Sequence, residues 1–100
     1  MARVTPEPDY LDEKLTGAVR SLATSSRSMP GRLEAAFLGF HTVRGEDFDD
    51  PKTRSIYLSI VERLMRDGSV VATTTRMDAA QAEELANDIF DLFLATRRSA

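Results

Sequence analysis

Ser69-Val70-Val71-Ala72-Thr73-Thr74-Thr75-Arg76-Met77 is the stretch on which the fold class turns. Valine and threonine dominate it, and β-branched side chains favour the pleated backbone of a strand. A strand needs a partner, however, and no second strand is legible in the remainder of the chain. Buried without a partner, its N–H and C=O groups would go unsatisfied. Ser69 can instead cap a helical turn, and Val70, Thr74 and Met77 then share a face. The segment therefore reads as one or two helical turns at about 69–76, with an extended segment as the alternative.

The flanks on both sides are helical. Downstream, Asp78 with Gln81 three residues on has the spacing of a capping box. Ala82, Leu85, Ala86, Ile89, Leu92 and Phe93 then recur at helical steps. Arg97 and Arg98 fall in the last turn, where the helix dipole favours positive charge. Upstream, Asp49 or Asp50 followed by Pro51 is the clearest helix start in the chain. Ile56, Tyr57, Ile60, Val61, Leu64 and Met65 follow as a wide apolar stripe, and Gly68 ends it. In the acidic loop before this helix, Phe48 is expected to plug the end of the bundle. A second helix opens at Ser28-Met29-Pro30, with Ser28 as its cap, and carries Leu33, Ala36, Phe37 and Phe40 up to a stop at Gly45. A first helix, capped by Asp9, carries Leu11, Leu15, Ala18, Val19 and Leu22. Its end frays into the polar run 24–28.

The expected fold is all-α, an antiparallel four-helix bundle-like domain over residues 9–98 with a short fifth helix. Residues 1–8 read as a flexible lead-in. One hundred residues with 42% hydrophobic content suit a single core. The absence of cysteine excludes disulfides, thiolate metal sites and a cysteine nucleophile, and fits a reducing cytoplasm. The N-terminus lacks the apolar core of a signal peptide, and no apolar run is long enough for a bilayer. A cytoplasmic protein is expected. Net charge is −3, which argues against broad nucleic-acid binding. Eleven of the thirteen basic residues are arginine, which a GC-rich bacterial coding bias explains before an arginine-based interface does.

Chemistry-bearing residues are sparse. His41 is the single histidine, so neither a triad nor a histidine-rich metal site fits one chain. It reads as a surface side chain. Glu46, Asp47, Asp49 and Asp50 form the densest acidic group, but counting an EF-hand from Asp47 puts Pro51 at position 5 and Leu58 at position 12. Helix capping explains them more simply, with recognition of a basic partner as the sharper alternative. Glu83, Glu84, Asp88 and Asp91 read as a solvated face of the last helix. Arg32, Arg44, Arg54, Arg63, Arg66 and Arg76 either pair with nearby acids, as Arg66 can with Glu62, or line a groove for phosphate or an acidic partner. The loop between the second and third helices is too long for a helix-turn-helix. No cofactor is implied.

The informative anomaly is apolar excess. Leu38 points about 140° from Leu33, and Leu58 about 160° from Ile60, at 100° per residue. Phe90 and Leu94 widen the last helix's stripe. Surplus apolar surface marks an interface. The leading expectation is a non-catalytic protein–protein interaction module, self-associating as a homodimer through Phe90 and Leu94, with Leu38 and Leu58 as further contacts. The alternative is an immunity, inhibitor or adaptor-type regulator that meets one target through the Glu46–Asp50 loop. A third is a ligand binder or enzyme in which Tyr57, His41, Thr74 and Arg76 converge.

Overall fold

The computed structural model describes residues 10–99. Among them the chain forms five α-helices and no strand: α1 (Tyr10–Thr24), α2 (Met29–Phe40), α3 (Pro51–Leu64), α4 (Val70–Arg76) and α5 (Ala79–Ser99). A single 3-10 turn, Gly45–Asp47, precedes α3. The all-α expectation holds, including the short fifth helix. The lead-in at 1–8 and the Asp9 cap lie outside the described residues.

The 69–77 stretch is helical because every hydroxyl in it finds work that a strand would not offer. Ser69 accepts the Ala72 amide at 3.1 Å and so caps α4. The Thr73 hydroxyl donates to the Ser69 carbonyl and accepts the Asp67 amide. Thr75 donates to the Val71 carbonyl one turn back. Thr74, 1% exposed, donates to a Glu34 carboxylate oxygen of α2 at 2.6 Å. Val70 and Met77 pack on the core beside it. Propensity spans only about 1 kcal/mol across residue types, and these tertiary bonds outweigh it.

α5 organises the rest. Its 21 residues make a rod of roughly 31 Å at 1.5 Å per residue, against a longest molecular dimension of 40 Å. It packs against α1, α2 and α3, while α4 bridges α2 and α3. Ala82, Leu85, Ile89 and Leu92 form its buried stripe. The stripe meets Leu15 and Ala18 of α1, Leu33, Ala36 and Phe40 of α2, and Tyr57, Ile60 and Leu64 of α3 in one core. The capping box at its start is formed in both directions: Asp78 accepts the Gln81 amide and Gln81 accepts the Asp78 amide.

Three local expectations are corrected. Ser28 occupies the position before α2, yet its side chain makes no capping bond, and Pro30 in the first turn starts the helix. α2 also ends at Phe40 rather than running to Gly45. The stop is tertiary: a tight turn, closed by the Val43 amide on the Phe40 carbonyl, brings Val43 into the core. Tyr57 then donates its hydroxyl to the Val43 carbonyl. Likewise α3 ends at Leu64, with Met65 at its C-cap, and not at Gly68; Gly68 closes the turn beyond it, with a positive φ of 97° that suits glycine. Gly39 serves a different need. A Cβ there would lie 3.2 Å from the Ala18 backbone nitrogen, so α1 and α2 touch almost backbone to backbone.

Candidate functional site

The acidic loop is mostly engaged in building the fold. Asp47 is buried and accepts the Arg44 amide at 2.9 Å. Asp50 accepts both the amide and the hydroxyl of Thr53, at 3.0 and 2.7 Å, and caps α3. The Thr53 hydroxyl, and then its amide, hold the Asp50 carboxyl below its ordinary value of 3.8. Glu46 lies 3.4 Å from Arg44. Asp49 is exposed and forms no ion pair among the described residues. Phe48 fills the space behind the loop as expected, buried with its ring 4.9 Å from that of Tyr57. Burial, helped by the nearby Asp47 and Tyr10, pushes the Tyr57 hydroxyl up to about 12.

The arginines divide into three uses. Arg54 donates to the Gly45 and Phe48 carbonyls and clamps the acidic loop from within α3. Arg32 reaches the Leu22 and Arg27 carbonyls and covers the end of α1 and its linker. Neither use is visible in the sequence, because the acceptors are backbone atoms with no residue signature. Arg44 and Arg63 take carboxylates, and the Arg63–Asp88 bond of 2.6 Å ties α3 to α5. Arg66 forms no ion pair among the described residues, with Glu62 or any other.

The third use is a cleft. The end of α3 and the turn after it, one side of α4 and the start of α5 border an open depression of about 240 Å³ that Arg63, Arg66 and Arg76 all line. Asp67 and Glu84 also line it, and Met77 and Leu85 supply apolar wall. Arg76 lies 3.7 Å from Asp67. α4 creates this convergence, since it turns the chain back and brings Arg76 beside the end of α3. A strand at 69–77 would have carried Arg76 elsewhere.

The four apolar candidates differ in exposure. Leu38 is 67% exposed, Leu58 51% and Phe90 44%, while Leu94 is only half-exposed on α5. Val71 and Met65 are exposed too. The Phe90 ring lies 6.2 Å from Phe93, over which Arg97 sits at 5.2 Å. Arg97 also lies 3.8 Å from Asp12 of α1.

The residues named for a ligand pocket do not converge. Tyr57 is buried against Val43, Thr74 is bound to Glu34, and exposed His41 contacts the Leu38 carbonyl through Nδ1. Only Arg76 lines the cleft. Among the described residues no three acidic or histidine side chains are placed to hold a metal ion, and no described helix is long and apolar enough to cross a membrane. No protein-family model, curated protein or solved structure matches the chain.

Proposed function

We propose that the protein is a non-catalytic interaction module that self-associates through the outer stripe of α5. The observation that carries this reading is the self-complementary order of that stripe. Glu83, Phe90 and Arg97 follow one another at seven-residue steps, close to two helical turns each. Glu83 and Arg97 are exposed, and Phe90 presents a large apolar ring between them.

Two copies of α5 placed antiparallel about a two-fold axis at Phe90 bring the two rings together. The same placement sets Glu83 of each protomer across from Arg97 of the other. A two-fold interface uses one patch twice, so it must complement itself in this way. Flanking charges of this kind fix register between paired helices. Leu94, one turn beyond Phe90, adds apolar area beside the ring. Glu83 has no ion pair among the described residues, and the 3.8 Å contact of Arg97 with Asp12 is solvated on both sides. Both charges are therefore open to a partner at little cost.

Light scattering tests the reading. The protein is expected at about 22 kDa, twice the 11.1 kDa chain. Phe90→Asp is expected to give a folded monomer. Glu83→Arg and Arg97→Glu are each expected to weaken the dimer, and the double exchange to restore it. A wild-type chain that stays monomeric at high concentration would falsify the proposal, as would a Phe90→Asp variant that still dimerises.

A further inference from the structure

We propose that the α3–α4–α5 cleft binds a small zwitterion, with the chemistry of a free amino acid that carries an apolar side chain. Three guanidinium groups in one cleft first suggest a polyanion. Charge bookkeeping decides otherwise. Arg63 is neutralised by Asp88 at 2.6 Å and also donates to the Ser59 carbonyl. Arg76 has Asp67 at 3.7 Å. Arg63 and Arg76 each have an acidic neighbour, whereas one cation and one anion line the same space without partners among the described residues: Arg66 and Glu84. A phosphate would gain Arg66 but would face Glu84, while the Arg76–Asp67 pair adds no net charge. A ligand with both charges satisfies both groups.

The remaining lining suits the rest of such a molecule. Gln81 uses its carbonyl oxygen to cap α5, which leaves its amide NH₂ as a neutral donor at the rim. Met77 and Leu85 offer an apolar wall for a side chain, and methionine adapts to varied shapes. The volume of about 240 Å³ is below the roughly 300–1,000 Å³ of drug-sized pockets. The depression is open to solvent, and its size suits a small molecule such as a single amino acid. In the assignment, the ligand carboxylate takes the Arg66 fork, which matches its planar geometry. The ammonium group takes Glu84, and the side chain lies along Met77 and Leu85. The site is independent of the α5 pairing, since Glu84 points about 120° away from Phe90 around the helix.

Amide chemical shifts of the isotopically labelled protein, titrated with free L-leucine, test this. The expected result is saturable shifts confined to residues 63–85. 4-Methylpentanoate, which lacks the ammonium group, and isoamylamine, which lacks the carboxylate, should each bind about tenfold or more weakly, as loss of one charge-assisted contact implies. Arg66→Ala and Glu84→Ala should each weaken leucine by a similar factor. Both side chains are exposed, and unchanged shifts elsewhere in each variant will show that the fold is intact. Absence of shifts at millimolar leucine overturns the proposal. So does inorganic phosphate or succinate binding more tightly than leucine, which would make the cleft an anion site.

Discussion

The two ends of α3 are both turns rich in charge, and they handle it in opposite ways. At the N-terminal end, Asp47 and Arg54 bond backbone groups of the loop, and Asp50 bonds the amide and hydroxyl of Thr53 in the first turn of α3. Phe48 and Tyr57 seal the space behind them. At the C-terminal end, Arg66 and Glu84 stand around an open cleft and bind nothing among the described residues. The lesson is that local charge density does not locate function. The sequence is most acidic where the charges are structural, and the groups free to meet a ligand come from a stretch of mixed charge.

The comparison makes graded predictions. Phe48→Ala empties the sealed end and should cost about 3–5 kcal/mol in urea denaturation, the usual range for a buried phenylalanine. A cost near zero would mean that the acidic end is as open as the other. Tyr57→Phe keeps the ring but leaves the Val43 carbonyl without its donor, and should cost about 1–2 kcal/mol. It should also flatten the alkaline limb. The folded hydroxyl titrates at about 12 against an ordinary 10.0, so its contribution is full below pH 10 and is lost as pH rises from there through 12. Wild-type melting temperature should fall across that window, and the variant's should fall less. Arg66→Ala and Glu84→Ala, at the open end, should each change stability by no more than about 0.5 kcal/mol. A loss as large as that of Tyr57→Phe would show that the cleft charges are structural after all.

Legibility in the sequence follows the range of the interaction. Asp50-Pro51 and the Asp78/Gln81 box were readable because cap and amide lie three residues apart. Phe48 was readable because a lone aromatic in an acidic loop has few other places to go. The end of α2 was not, since it depends on Tyr57 reaching Val43 from another helix. The near-contact of Gly39 with Ala18 left no periodic trace either. The arginine cleft was half-legible. The arginines are legible as lining for a groove, but which three meet depends on the path of α4. Leu38 and Leu58 are legible from their angle on the helix, and the exposure of Val71 follows from the Val70, Thr74 and Met77 face turning inward.

The hydroxyl bonding of α4 has a consequence for how the protein survives in solution. Seven residues are too few for a helix to persist alone, so its conformation is lent to it by Glu34 and Asp67. Without them, Val70-Val71-Ala72-Thr73-Thr74-Thr75 is an uncharged, proline-free run of strand-forming residues, the composition that seeds cross-β assembly. The two bonds thus also hold an aggregation-prone hexapeptide in helical form. Loss of α4 would release that hexapeptide in its strand-forming composition.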